Sequence, residues 1–168
     1  MKKIVFLIST SVLLLVACKK KEQPCTAEAG STVVSANEEA LVTTYLSNNN
    51  ITNAVELGNS GMYYSIQTAG GTDKPEQCDA VTVKYVGRRQ DGSIFDETPG
   101  STTRTFTLSG LIEGWRRGIP LIGAGGKMKL YIPPSLHYGP NGLTDPGTRQ
   151  VIIPPNQIII FDMELVGF

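Results

Sequence analysis

The sequence predicts an α+β domain of short antiparallel strands and a single short core helix, and three observations lead to that class. Apolar residues alternate with polar ones over 81–85, 128–132 and 159–165, which is the period of half-buried strands. Turn chemistry punctuates them at Asp91-Gly92, Pro133-Pro134 and the Gly/Pro/Asn/Asp-rich stretch 139–150. Only 111–121, LIEGWRRGIPL, reads as a helix of the core, with Gly118 and Pro120 marking its end. Runs of strands with one helix describe an α+β layer, with no internal repeat and no second domain.

Taken in order, the chain opens on Met1-Lys2-Lys3 and a mostly apolar run to Val16. A basic start and a short apolar stretch read as a secretory signal over 1–17, too short to span a bilayer. Its ending, Leu15-Val16-Ala17-Cys18, resembles the bacterial lipobox, in which the Cys is lipidated and becomes the first mature residue. Residues 18–37 are polar and small, and read as a flexible tether. Lys19-Lys20-Lys21 either rests on anionic headgroups, at roughly 1 kcal/mol per charge, or is simply solvated. A short helical extension occupies 38–61. Ser35 or Asn37 caps its helix, Ala40, Leu41, Thr44, Tyr45 and Leu46 supply a modest apolar face, and Asn48-Asn49-Asn50 ends it. A helix that short is marginal alone, so it docks on the domain or frays.

The domain proper spans 62–168. Residues 62–68 form a strand, followed by a turn over 70–75. Val81, Val83 and Tyr85 face one way on the next strand, and the Asp91-Gly92 hairpin leads into Phe95-Asp96. Residues 105–108 form another strand. After the helix, Met128, Leu130 and Ile132 alternate with Lys127, Lys129 and Tyr131. Residues 139–150 read as a loop, and Ile159, Phe161, Met163 and Leu165 form one face of the last strand.

Composition excludes several functions. Formal net charge is +0 and hydrophobic residues make up 40%, so no basic field is left to collect nucleic acid. The single histidine, His137, builds neither a triad nor a metal site, and no cofactor or metal is expected. GAGGK at 123–127 lacks the Ser or Thr of a phosphate loop and reads as a β-turn. With Cys18 lipidated, Cys25 and Cys78 remain as a pair, either two thiols or a disulfide. A bond there would close a loop of about fifty residues, adding roughly 4 kcal/mol on a chain-entropy argument.

Four motifs in sequence then carry a resemblance: VTVKYVG at 81–87, DGSIFDET at 91–98, LIEGWRRGIPLIGAGGKMKLYIPPSLHYG at 111–139, and IIPPNQIIIFDMEL at 152–165. Together and in this order they resemble the FKBP-type peptidyl-prolyl cis–trans isomerases. The resemblance implies a bent antiparallel sheet wrapped around one short helix, with the pocket between them. It implies Trp115 as the pocket floor, and Tyr85, Phe106 and Phe161 as aromatic walls. Leu111 and Ile112 would close the side, the Ile112 N–H donating to a substrate carbonyl. Phe95 and Ile153 would line the mouth, Asp96 would be the carboxylate beside the twisting amide, and Tyr138 would offer its hydroxyl to the substrate backbone. It also implies proline-containing polypeptides as substrates and macrolide inhibitors as ligands, and the chain is expected to be a monomer. With the lipobox, it points to a lipoprotein of the cell envelope, membrane-attached and outer-membrane in placement.

Such a reaction needs no nucleophile. The planar X–Pro amide is held by C–N resonance, with a barrier of about 18–20 kcal/mol. Water stabilises that charge separation, so an apolar pocket that removes water favours the twisted form. Every tenfold in rate needs about 1.4 kcal/mol. The chain departs from the family pattern in the loop between Asp96 and Phe106, where Arg104 stands, and an Asp96–Arg104 salt bridge is left open. The loop after Tyr138 is longer and carries Asp145 and Arg149. The alternative to an enzyme is a binding module that holds a proline-bearing segment of an envelope or gliding-type assembly with little turnover. On composition alone the same aromatics also suit an ordinary core.

Overall fold

The computed structural model describes residues 25–168. The signal, Cys18 and Lys19-Lys20-Lys21 lie outside the described residues. Helix α1 (Ala36–Asn48) precedes the strands β1 (Val55–Glu56), β2 (Tyr63–Thr68), β3 (Ala80–Arg89), β4 (Ile94–Glu97) and β5 (Arg104–Thr107). Helix α2 (Glu113–Gly118) follows, then β6 (Gly126–Ile132), β7 (Leu143–Thr144), β8 (Val151–Ile153) and β9 (Ile159–Gly167). Seven strands form one sheet in the order β1-β2-β6-β9-β3-β4, with β5 also paired to β3. Every pairing is antiparallel. The long strand β3 holds β5 along its first half and β4 along its second, which sets Phe106 opposite Val81 and Asp96 opposite Gly87.

The period-2 alternation sorts the sheet into two faces. Val81, Val83, Tyr85, Met128, Leu130, Ile132, Phe161, Met163 and Leu165 pack with Trp115, Ile119 and Ile122 into the main core. On the other face Lys127 and Lys129 meet Glu164 and Asp162 across the β6–β9 ladder at 3.4 and 3.0 Å. Half-exposed pairs of this kind contribute little to stability and keep the face soluble. Tyr131 and Ile160 also lie on that face, where α1 covers them with Val42 and Leu46 to make a second, smaller core. Docking, not propensity, therefore holds a thirteen-residue helix. Its apolar stripe is Val42, Tyr45 and Leu46, whereas Ala40, Leu41 and Thr44 point to solvent. Ser35 closes a capping box with Glu38, and the same Glu38 carboxylate accepts the Ser135 N–H at 2.9 Å, tying the cap to the domain.

Helix α2 approaches β6 closely because Gly114 and Gly118 face it. A Cβ on Gly114 would lie 2.5 Å from Ile132 Cγ2, and one on Gly118 would lie 2.7 Å from Leu130 Cδ1. The helix is shorter than the sequence pattern predicts: its α-helical part ends at Gly118, and Pro120 continues it as a single 3₁₀ turn.

Two expectations need correction. The tether foreseen over 18–37 is packed from Cys25 onward, since Cys25 is bonded to Cys78 and residues 28–34 lie along α2. These contacts use the backbone of Glu28 and Thr32 together with the Thr32 hydroxyl, which composition does not reveal. The stretch 139–150, read as a loop, holds a 3₁₀ turn and β7, which pairs with β8 as a separate hairpin. Asp145 closes the hairpin turn by accepting the Gly147 and Thr148 N–H groups at 2.9 and 2.7 Å.

Candidate active site

Between α2 and the β3–β4–β5 end of the sheet lies a cavity of about 220 Å³, lined by Tyr85, Phe95, Asp96, Arg104, Phe106, Leu111, Ile112, Trp115, Tyr138 and Phe161. Trp115 forms its floor and is 4% exposed, because α2 turns its indole inward between the two glycine contacts. The surrounding rings meet it edge-to-face: Phe161 at 4.9 Å, Tyr85 at 5.0 Å and Phe106 at 6.3 Å between centroids. Phe95 stands edge-on to Phe161 at 5.5 Å. Positive ring edges against negative faces favour these arrangements by about 0.5–1.5 kcal/mol per pair. Such a box presents ring faces and edges to an aliphatic ring. Gly87 makes room for it, since a Cβ there would lie 2.7 Å from Phe95 Cζ and 2.8 Å from Phe161 Cε1.

The polar groups converge at one corner. The Tyr85 hydroxyl donates to Asp96 Oδ2 at 2.6 Å, and Arg104 Nη1 donates to that hydroxyl at 2.6 Å and to both Asp96 oxygens at 3.2 Å. The guanidinium also stacks 5.6 Å from the centre of the Tyr85 ring. Burial, then the Asp96 carboxylate, push the Tyr85 phenol well above its ordinary value, and the Arg104 charge only partly offsets this. The phenol is thus a neutral donor throughout the physiological range. Tyr138 is raised in the same direction, by burial first and the Asp96 charge second.

Ile112 stands at the start of α2. Its carbonyl accepts from the Trp115 and Arg116 N–H groups, while its own N–H precedes the helix and takes no part in the helical ladder. Ten residues therefore share the cavity, and nine of the ten foreseen from sequence are among them. Ile153 is not. It is 1% exposed and sits in the main core, because the β7–β8 pairing turns it inward opposite Leu143. Arg104 completes the cavity, and its salt bridge to Asp96 is present at 3.2 Å.

Thr98 was not foreseen. It is buried and brackets Tyr85 from just past the end of β4: its hydroxyl accepts the Tyr85 N–H at 3.1 Å and donates to the Tyr85 carbonyl at 3.3 Å. Nothing in the sequence separates it from an ordinary loop threonine. Among the described residues no group of His, Cys, Asp and Glu side chains is placed to hold a metal ion. A larger depression of about 340 Å³ lies on the other sheet face between Lys84, Lys127, Asp162 and Glu164. Lys127 pairs with Glu164 there, Asp162 pairs with Lys129 outside the lining, and no aromatic box floors it.

The chain has parallels in sequence and in fold among known proteins. The family of FKBP-type peptidyl-prolyl cis–trans isomerases matches residues 71–166. The FKBP-type isomerase FkpA of Escherichia coli is 41% identical over 116 residues, covering 67% of this chain and 39% of that protein. The outer membrane protein MIP of Legionella longbeachae is 37% identical over 109 residues, covering 64% of this chain and 44% of that protein. The chain thus spans less than half the length of these curated relatives. The crystal structure of E. coli FkpA superposes with a TM-score of 0.65 at 37% identity, covering 78% of this chain and 59% of that one. A peptidyl-prolyl isomerase from Pseudomonas syringae gives 0.64 at 28% identity, covering 82% of this chain and 98% of that one. By sequence and by fold, this chain belongs to the FKBP-type peptidyl-prolyl cis–trans isomerase family.

Proposed function

We propose that this protein catalyses rotation about X–Pro bonds of polypeptides in the cavity above Trp115. The observation that carries this reading is the edge-to-face box of Tyr85, Phe161 and Phe106 around Trp115, with one carboxylate already engaged by Arg104 and Tyr85. No lining side chain is a serine, cysteine or lysine nucleophile, and the reaction breaks no covalent bond.

The proline ring lies on the indole and against the aromatic walls, which exclude water from the amide nitrogen. Resonance weakens there, because the solvent that stabilises the planar, charge-separated amide is gone. The Ile112 N–H and the Tyr138 hydroxyl hold the substrate backbone on either side, so binding energy is realised in the twisted state. Asp96, fixed by Tyr85 and Arg104, places a directed negative potential at the edge of the box.

The test is the cis-to-trans rate of a short X–Pro peptide with the soluble protein beginning at Lys19, beside its Trp115→Ala and Asp96→Ala variants. Acceleration that falls in both variants supports the reading. A folded protein without acceleration overturns it, and the cavity is then a binding site for a proline-bearing segment. The same cavity is the proposed site for macrolide inhibitors, which would compete with the peptide.

The proposed setting is the cell envelope, with Cys18 lipidated and the chain a monomer facing proline-containing envelope polypeptides. A relative is named an outer membrane protein, the residues before Cys18 resemble a lipobox, and a Cys25–Cys78 disulfide suits an oxidising compartment. Acyl chains on Cys18 would give stable attachment to the outer membrane. A Cys18→Ala variant that stays in the membrane fraction overturns the lipid anchor.

A further inference from the structure

The floor of the cavity depends on where α2 sits, and α2 is gripped from two sides. Gly114 and Gly118 press one side against β6. The other side carries Glu113, Arg116 and Arg117, and the chain from Cys25 to Val34 runs along it as a strap. The Glu113 carboxylate accepts the Thr32 N–H at 3.0 Å and the Thr32 hydroxyl at 2.6 Å, and pairs with Arg117. Arg117 donates in turn to the Thr32 carbonyl at 2.9 Å, and Arg116 donates to the Glu28 carbonyl. Gly30 passes so close that a Cβ there would overlap the Glu113 side chain.

Several features separate this cluster from a solvated pair of charges. The Glu113–Arg117 pair is only 16% and 12% exposed, unlike the half-exposed pairs of the sheet. Burial opposes the Glu113 charge, yet the Thr32 hydrogen bonds and the Arg117 charge outweigh it and lower the carboxyl pKa. Both ends of the strap are fixed. Cys25 is bonded to Cys78, whose neighbour Gln77 donates its Nε2 to the Arg116 carbonyl at 2.8 Å at the far end of α2. Val34 packs against the main core. Glu113 itself lies between Ile112, which caps α2, and Trp115 within it, both of which line the cavity.

We propose that Glu113 is a positioning residue for the isomerase cavity, and that residues 28–34 are its partner. Through Thr32 and Arg117 it locks α2 so that Trp115 and the Ile112 N–H keep the spacing a proline-containing segment requires. This rests on the isomerase reading for its kinetic consequence and on geometry alone for its effect on Trp115.

The experiment uses the soluble protein beginning at Lys19 and reads two signals. One is the isomerase rate on an X–Pro peptide, resolved into kcat and KM. The other is the emission and acrylamide quenching of Trp115, the only tryptophan in the chain. Glu113→Ala is expected to lower kcat about tenfold with smaller change in KM, to shift Trp115 emission to the red and to increase its quenching. Thr32→Val is expected to do the same to a lesser degree, and Thr32→Ser to restore wild-type values. Wild-type kcat and emission in Glu113→Ala overturn the proposal. Should Glu113→Ala fail to fold by circular dichroism, Thr32→Val decides in its place, and wild-type values there overturn it. If the parent protein shows no isomerase activity, the isomerase reading fails by itself. The Trp115 emission of the same variants then still tests whether the strap holds the floor.

Discussion

Tyr85 and Asp96, eleven residues apart in sequence, are joined by a 2.6 Å hydrogen bond in which the phenol donates. The pair exists because β3 and β4 share a hairpin register that sets Asp96 opposite Gly87, two residues beyond Tyr85. Because burial and Asp96 raise the phenol, Tyr85 remains a donor well above its ordinary range. Tyr85→Phe is expected to reduce kcat/KM modestly, about threefold, since Arg104 still reaches Asp96 directly. Asp96→Ala removes the directed charge and is expected to cost about tenfold, or ~1.4 kcal/mol. Peptide isomerisation rates for the two variants check the order, and a larger loss in Tyr85→Phe than in Asp96→Ala contradicts it.

Arg104 serves two neighbours at once, donating to the Tyr85 hydroxyl and to Asp96 while its plane lies over the Tyr85 ring. Its side chain is 43% exposed, so its removal is expected to change stability by no more than about 1 kcal/mol. The effect on rate is expected to be larger than the effect on stability. Without the guanidinium, the Asp96 carboxylate keeps only the Tyr85 hydroxyl as its partner and is held less firmly. Arg104→Ala should therefore lower kcat/KM about three- to tenfold at nearly unchanged melting temperature. Thermal denaturation and a peptide assay on the same sample separate the two quantities.

The aromatic box leaves no space behind it at Gly87. A methyl group there would press on Phe95 Cζ and Phe161 Cε1 from within the sheet. Gly87→Ala is thus expected to destabilise the protein by about 1–3 kcal/mol through overpacking. It should also splay the two rings and lower peptide affinity. Denaturant unfolding measures the first, and a KM that rises while the midpoint falls establishes the second. A variant as stable as the parent shows that the rings yield freely.

Much of this arrangement is legible in the sequence, for reasons that differ between elements. Val81, Val83 and Tyr85 announce their shared face by alternation, and Phe161, Met163 and Leu165 do the same on β9. Their neighbours across the sheet follow from the family motifs more than from any local pattern. Helix phase is less visible. Leu41 looks as apolar as Val42, but the pair Tyr131 and Ile160 beneath α1 selects Val42 and leaves Leu41 outside. Ile153 reads as a mouth residue in its IIPP context, yet the β7–β8 hairpin rotates it into the core. The strap is the least legible element. Its contacts use the backbone of Glu28 and Thr32 and the Thr32 hydroxyl, and their partners on α2 lie more than eighty positions away. A stretch of Ala, Gly, Ser and Thr carries no hydrophobic period that would betray them.

His137 adds a pH dependence that this topology makes specific. It precedes Tyr138 at the end of the Pro134–Leu136 turn, and its ring lies 5.8 Å from that of Tyr138. Burial lowers its pKa from 6.5 to about 4, and the backbone of Gln157 and then the charge of Glu38 oppose this without reversing it. The folded state therefore keeps the imidazole neutral where the unfolded chain already binds a proton. Between about pH 6.5 and pH 4 the unfolded state holds more protons, so stability present above pH 6.5 is lost as the pH falls toward 4. The slope from this one group is at most about 1.4 kcal/mol per pH unit. His137→Gln should flatten that part of the profile while leaving stability at pH 8 within about 1–2 kcal/mol of the parent. Urea midpoints at pH 8, 6.5, 5.5 and 4.5 for parent and variant check this, and parallel curves would assign the acid sensitivity to the carboxylates instead.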